Sequence, residues 1–253
     1  MPTGLFNMSR LGQKKQLFGV ATGCVCRYQL LATMNESLSV IWERVFERRV
    51  IAVAAVDTPD NALRLADALL AGGLDIIEIT FRTAAAEQSI AKVRNAFPTM
   101  LVGAGTVLEP EQLVRAQGSG AQFGVAPGLN ERVVHKAAEL KMPFMPGVMT
   151  PSEVERALGL GCKLLKFFPA QAAGGVKMLK ALAGPYAHTG VKFIPLGGID
   201  ATNAAEYLAM PIVAAVGGTW LADAKLIAAA NWAQITALTK QALEIAGTDR
   251  RKT

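Results

Sequence analysis

The chain predicts an α/β fold, eight parallel strands alternating with eight helices in one (β/α)8 barrel, and three observations predict it. Eight short apolar runs of β type recur from residue 50 onward. The segments between them have helical spacing, and many open with a capping residue or a proline. The interval from run to run is roughly 20–28 residues, about one βα unit. Eight such alternations are the count of a closed barrel. A doubly wound open sheet is the alternative; no GxGxxG follows the first run, which weakens its dinucleotide-binding version.

The runs are Val50–Val56, Asp75–Thr80, Met100–Gly105, Ala121–Ala126, Pro143–Val148, Lys163–Pro169, Val191–Gly197 and Val213–Gly217. They are nearly continuous in Val, Ile, Leu, Phe and Ala, as strands buried on both faces must be. The helix-opening signals include Asp57-Thr-Pro-Asp60, Glu109-Pro-Glu111, Asn130-Glu131 and Thr150-Pro-Ser-Glu153. Before the first run, Asn35-Glu-Ser-Leu-Ser-Val-Ile-Trp-Glu-Arg-Val-Phe46 reads as a capped amphipathic helix. The single barrel domain is therefore expected over residues 34–247, with a polar tail at 248–253.

Residues 1–33 differ in kind: they are acid-free, lack clear periodicity and hold Cys24 and Cys26. Phe18–Cys26 is a poor secretory core, and the leader is not strongly amphipathic, as a transit peptide would be. It reads as a poorly ordered extension of no catalytic importance, or as an upstream start-site artefact. The formal charge of the 253-residue chain is +6, but Arg10, Lys14, Lys15 and Arg27 lie in or near this leader. That leaves 22 basic against 20 acidic residues elsewhere, with no basic stripe interleaved with aromatics, so nucleic acid is excluded as a partner. No apolar run approaches the roughly 18–20 residues that span a bilayer, and a cytoplasmic address is expected. Three cysteines without a CxxC pair exclude a disulfide framework and a structural zinc site. The two histidines, His135 and His188, read as surface residues, so no metal centre is expected.

In such a barrel the functional residues gather at the C-terminal ends of the strands. The second run ends Ile77-Glu-Ile-Thr-Phe-Arg-Thr83, with Glu78 inside it and Arg82 just beyond. The third ends Gly103-Ala-Gly-Thr106, the fourth Ala126-Pro-Gly128 and the fifth Pro146-Gly147. The seventh and eighth end in the pairs Gly197-Gly198 and Gly217-Gly218, the latter followed by Thr219. Glycines at these two ends let backbone N–H groups enclose an anion, and a phosphate site is expected there.

The sixth run, Lys163-Leu-Leu-Lys-Phe-Phe-Pro-Ala170, carries a lysine among large apolar neighbours. Alternation sets Leu164, Lys166 and Phe168 on one face and leaves Lys163 at the entrance, within reach of water. Taken alone, Lys166 is most simply a side chain that snorkels outward along its stem. With Glu78 on another strand it is either half of a buried ion pair or a nucleophile, and the two roles are compatible. An amine that attacks a carbonyl must be uncharged part of the time near neutral pH. Burial and the nearby Arg82 favour the neutral amine, and Glu78 opposes them.

These residues also resemble a known family. Glu78-Ile-Thr-Phe-Arg82, Gly103-Ala-Gly-Thr-Val107, Pro127-Gly128, Pro146-Gly147, Lys166-Phe-Phe-Pro169, Gly174-Gly175, Gly197-Gly-Ile199 and Gly217-Gly-Thr-Trp220 recur in one order. Together they are similar to the 2-keto-3-deoxy-6-phosphogluconate / 4-hydroxy-2-oxoglutarate aldolases, class I Schiff-base enzymes of the Entner–Doudoroff route. The resemblance spans residues 37–247. It implies that Lys166 forms the Schiff base at the C2 ketone and that Glu78 is the general acid/base. It further implies that Arg82 and Thr106 receive the pyruvyl carboxylate, with Pro127 and Phe168 as walls. Gly197, Gly198, Gly217, Gly218 and Thr219 would form the phosphate cradle.

The resemblance also implies a homotrimer, no cofactor, no metal, and the products pyruvate and glyceraldehyde 3-phosphate, with 4-hydroxy-2-oxoglutarate as a second substrate. Leu196 stands where the best-known members carry threonine, Thr219 where serine is common, and Ala126 where serine often precedes Pro-Gly. These departures bear on the preferred aldehyde, not on the Schiff base. The competing readings are another phosphate-binding barrel enzyme, an isomerase or synthase, in which Lys166 only pairs with phosphate; a non-catalytic sugar-phosphate binder; and a metal-dependent aldolase, disfavoured by the few histidines.

Overall fold

A computed structural model describes residues 40–249; the expected leader, with Cys24 and Cys26, lies outside the described residues. Of the helix predicted over 35–46, the described part is residues 40–48, here α1. Nine strand segments follow: β1 (Val50–Ala54), β2 (Ile76–Thr80), β3 (Leu101–Gly105), β4 (Phe123–Val125), β5 (Phe144–Met145), β6 (Gly147–Val148), β7 (Leu164–Phe167), β8 (Lys192–Pro195) and β9 (Val216–Gly218). Every predicted run overlaps one strand, β9 ending one residue beyond the run Val213–Gly217, except Pro143–Val148, which holds two. Pro146 separates them, because it has no N–H to give to a ladder.

All strand pairs are parallel. They form a six-stranded sheet in the order β5-β4-β3-β2-β1-β9 and a three-stranded sheet in the order β6-β7-β8. The sheets touch at both edges. Gly147 N–H donates to Gly128 O at 3.2 Å, and Lys166 N–H to Pro146 O at 2.9 Å. At the other edge Phe193 bridges Val213, with Phe193 N–H on Ile212 O at 2.8 Å and Ala214 N–H on Phe193 O at 3.0 Å.

The helices between the strands are α2 (Pro59–Ala71), α3 (Ala86–Ala96), α4 (Pro110–Gly118), α5 (Glu131–Glu139), α6 (Pro151–Gly159), α7 (Gly175–Ala183), α8 (Ala204–Leu208), α9 (Ala224–Ala228) and α10 (Trp232–Asp249). A six-residue 3-10 turn, Gly184–Thr189, leads from α7 towards β8. The capping signals act as the sequence expects. Thr58 accepts from Asn61 N–H at 3.2 Å, with Pro59 in the first turn. Thr150 and Glu153 form a reciprocal box, with Thr150 N–H on Glu153 Oε2 at 2.8 Å. Each such cap contributes about 1 kcal/mol.

β1, β2 and β3 are buried at every position, which is why their sequences do not alternate in polarity. α1 lies across the N-terminal ends of the strands. The Trp42 ring meets the Phe123 ring edge-on at 5.6 Å, at the start of β4. Arg44 and Arg48 both reach Asp75, just before β2, and Arg44 also reaches Thr99 O, ahead of β3. Burial pushes the Asp75 carboxyl up, but hydrogen bonds from Arg48 and Arg44, and their charges, outweigh it and hold the group below the usual carboxylate range. The C-terminal ends of the strands are left for the site. His135 and His188 are both exposed, and among the described residues no helix is long and apolar enough to cross a membrane.

Candidate active site

Lys166 from β7 and Glu78 from β2 point into one cavity of about 440 Å3 at the C-terminal ends of the strands. They come from different sheets, yet Lys166 Nζ stands 3.7 Å from Glu78 Oε1. Lys166 is 5% exposed and Glu78 0%. The separation is that of an ion pair but exceeds a hydrogen bond, and neither Glu78 oxygen has a hydrogen-bond partner among the described residues. A buried carboxylate in that state is costly unless something else engages it. The ammonium also stands 5.1 Å from the centroid of the Phe168 ring, within cation–π range. Lys163, by contrast, is exposed and donates to Thr189 O at 3.1 Å.

Glycine makes room for the acid. A Cβ on Gly105 would fall 2.0 Å from Glu78 Oε1, so β3 gives the carboxylate the space of an absent side chain. Glu78, Thr80 and Arg82 lie two residues apart, and all three line the cavity. Thr80 Oγ1 donates to Ala54 O at 3.0 Å and accepts from Arg82 Nε at 3.1 Å, which tethers the otherwise exposed guanidinium to the rim. Thr106 lines the same wall with φ +56°. A β-branched residue in the left-handed region is a backbone outlier of the kind that collects at functional sites. Pro127 comes close because β6 opens with glycine: a Cβ on Gly147 would meet Pro127 O at 2.2 Å.

The two glycine pairs behave differently. Gly197 and Gly198 follow β8 with φ of +92° and +79°, so two successive residues are left-handed. Their N–H groups donate no hydrogen bond among the described residues, and both glycines line the cavity. Successive unpaired N–H groups in a turn are an arrangement that can receive an anion. Gly217 and Gly218 instead belong to β9 and pair with Ile51 and Ala52. A Cβ on Gly217 would meet Leu196 at 2.9 Å, and one on Gly218 would meet the Trp220 ring at 2.3 Å. Gly217 makes room for a neighbour and does not line the cavity, whereas Gly218 and Thr219 do.

The structure thus brings together all the sequence-predicted residues except Gly217. It adds Val53, Thr80, Leu196, Ile199, Asp200, Trp220 and Asp223. Strand alternation from Glu78 could have found Thr80. Asp200 and Asp223 follow the last strand ends in loops that carry no periodicity. Asp200 turns back on Thr202, accepting from its hydroxyl at 2.5 Å and its N–H at 2.8 Å, and these hydrogen bonds hold its carboxyl below the ordinary range. Asp223 caps α9 by accepting from Lys225 N–H at 2.7 Å. A larger cavity, about 660 Å3, lies at the entrance of β8 between Val176 and Ile212. It contains lysines but no carboxylate, whereas the smaller one holds both.

Among known proteins, the profile of the family described as "Aldolase: KDPG and KHG aldolase" matches residues 41–238. The 2-dehydro-3-deoxy-phosphogluconate aldolase of Treponema pallidum (strain Nichols) is 46% identical over 207 residues, 82% of this chain and 98% of that protein. The KHG/KDPG aldolase of Escherichia coli (strain K12) is 42% identical over 195 residues, 77% of this chain and 91% of that one. A crystal structure of KDPG aldolase from Legionella pneumophila, with pyruvate captured at low pH as a covalent carbinolamine intermediate, superposes with TM-score 0.75 and 41% identity, covering 78% of this chain and 96% of that chain.

Proposed function

The chain belongs to the KDPG and KHG aldolase family, and from that premise we propose how its residues carry out the reaction. It is an aldehyde-lyase, an enzyme that breaks a carbon–carbon bond. Its substrate is 2-keto-3-deoxy-6-phosphogluconate, cleaved reversibly to pyruvate and glyceraldehyde 3-phosphate, with 4-hydroxy-2-oxoglutarate as a second substrate. The observation that carries the residue assignment is the buried pair: one amine, one carboxylate without hydrogen bonds, 3.7 Å apart on the floor of a cavity.

Lys166 Nζ attacks the C2 carbonyl, and Glu78 supplies the proton with which the carbinolamine loses water as an iminium forms. Glu78 then takes the C4 hydroxyl proton while the C3–C4 electron pair flows into the iminium, which releases the aldehyde and leaves an enamine. Glu78 returns that proton to C3, regenerating an iminium, and hydrolysis, which takes up one water in place of the one lost from the carbinolamine, releases pyruvate and the free amine. Arg82, held by Thr80, forks the pyruvyl carboxylate, with Thr106 beside it, and so fixes the carbonyl against Lys166. Pro127 and Phe168 wall the pocket. Gly197 and Gly198 hold the phosphate on their free N–H groups, with Gly218 and Thr219 facing them.

The same pair supports reading the two sheets as arcs of one eight-stranded ring. A residue of β2 and a residue of β7 meet inside only if the inner faces of both sheets enclose one interior, and hydrogen bonds join the sheets at both edges. The homotrimer and the cytoplasmic address implied by the resemblance belong to the same proposal.

Incubation with pyruvate and borohydride tests the assignment. A reduced adduct on the peptide containing Lys166, lost in Lys166→Ala, is the expected result. Turnover without a trappable adduct would overturn the Schiff base in favour of another phosphate-handling or metal-dependent chemistry.

A further inference from the structure

The phosphate reading names backbone groups but not the side chain that aims them. In a trans peptide the C=O and the following N–H point in opposite directions. Three consecutive carbonyls after β8 are held by donors from residues that do not line the cavity. Leu196 O accepts from Ala170 N–H at 2.7 Å, and Gly197 O from Gln171 N–H at 3.0 Å. Gly198 O accepts from the Asn203 side-chain Nδ2 at 2.9 Å. None of Ala170, Gln171 and Asn203 lines the cavity, whereas Gly197, Gly198 and Ile199 all do. The three N–H groups of residues 197–199 therefore face the cavity side, and none of them donates a hydrogen bond among the described residues.

Two of the three holding donors are backbone groups; the third is a side chain in an unusual position. Asn203 sits at the N-cap of α8 but makes no side-chain cap bond to the helix. Its Oδ1 instead accepts from Asp200 N–H at 3.0 Å while Nδ2 holds Gly198 O, so the two bonds fix the amide orientation without ambiguity. An asparagine at that position ordinarily satisfies the first turn of its helix. This one has been diverted into the loop.

We propose that Asn203 is a positioning residue for the phosphate end of the substrate, setting the third N–H of the nest, that of Ile199, by holding the Gly198 carbonyl away from the cavity. The inference rests on the phosphate reading of Gly197 and Gly198. Its test compares the full-length protein with Asn203→Ala and Asn203→Asp, using 2-keto-3-deoxy-6-phosphogluconate and its dephosphorylated analogue. Asn203→Ala is expected to raise KM for the phosphorylated substrate about 10-fold, as loss of one oriented hydrogen bond to an anion would. Its kcat, its turnover of the dephosphorylated analogue and its borohydride trapping with pyruvate should stay within about 2-fold. Asn203→Asp keeps the acceptor for Asp200 N–H but loses the donor to Gly198 O, and should discriminate against phosphate at least as strongly.

A purely structural role predicts otherwise: Asn203→Asp like the parent, or both substrates impaired together. Either result overturns the proposal, and the aspartate variant decides the matter if the alanine variant does not fold. Loss of preference for phosphate in the parent itself would sink the nest reading and this inference with it. A parent that prefers phosphate beside variants that keep that preference would sink the inference alone.

Discussion

Replacing Gly105 with alanine should slow turnover at least about 100-fold, and should slow Schiff-base formation without abolishing it. The added Cβ would stand 2.0 Å from Glu78 Oε1, 2.6 Å from its Cδ and 2.7 Å from its Cγ. Non-bonded carbons and oxygens approach to little under 3 Å, so the carboxylate must retreat by about 1 Å, or β3 must part from β2. A displacement of about 1 Å at a reacting group can cost on the order of 100-fold, and loss of a general acid/base about 100- to 10,000-fold. Overpacking adds about 1–3 kcal/mol of destabilisation, or roughly 2–12 °C in Tm for a domain of this size. The chain should still be folded at room temperature. Pyruvate release, followed with a coupled lactate dehydrogenase, should fall at least about 100-fold, while borohydride with added pyruvate still labels Lys166. Gly103→Ala is the control, because its Cβ would strike the Phe123 ring at 2.2 Å, away from the carboxylate. It should lose stability and keep kcat while folded. Equal losses of kcat in the two variants, or a Gly105→Ala enzyme within about 3-fold of the parent, would refute the role given to Glu78.

Two further outcomes rest on titration. The Asp75 carboxyl is held below its ordinary value, so its pairing with Arg44 and Arg48 stabilises the fold above the unfolded pKa, about 3.9, and is lost as pH falls through the lower folded value. Asp75→Asn should therefore lower Tm at pH 7, and the difference from the parent should begin to shrink below about pH 4 and vanish only below the folded value; a constant difference down to strongly acid pH would contradict the ion pairing. Burial pushes the Cys162 thiol up to about 11, so peptide-resolved alkylation at pH 8 should label it far more slowly than the denatured chain; equal rates would count against its burial.

The strands were legible because burial on both faces leaves apolar runs that no surface segment imitates, and Pro59, Pro110 and Pro151 marked helix starts directly. Pro146 in the fifth run was legible as a residue but not as the point where pairing passes from β4 to β7, since partner choice is non-local. Glu78 and Lys166 could be read as chemically unusual from their apolar surroundings, and as a possible buried pair, but not at a definite distance. Their separation depends on how two sheets face each other across 88 residues of chain. Gly105 read as one more glycine at a strand end; its task, space for a carboxylate, exists only once β2 and β3 are side by side. The two glycine pairs read alike in sequence and differ in structure, because φ separates a nest from a strand and glycine permits both. Asn203 carries no signal in the sequence, because its two hydrogen bonds exist only once the loop after β8 is folded.

The buried pair is better understood as a cost borne by the fold than as a support for it. Two ionisable groups removed from water at 3.7 Å, with both carboxylate oxygens lacking hydrogen bonds, do not recover their desolvation by mutual attraction. Around them Ile76, Ile77, Ile79, Leu165 and Phe167 are fully buried, each contributing about 1.5–3 kcal/mol relative to exposure. That apolar surplus lets the interior tolerate an imperfect pair. The same imperfection is useful. A carboxylate locked to its lysine by short hydrogen bonds would be held in one orientation and less free to reach a C4 hydroxyl. At 3.7 Å the carboxylate is close enough to exchange protons with groups bound to Lys166 through a small movement or one bridging hydroxyl, yet committed to none of them. Gly105 keeps that distance open on one side and Phe168 gives the ammonium an alternative contact on the other. Gly105, which does not line the cavity, thereby helps set whether the site can turn over at all.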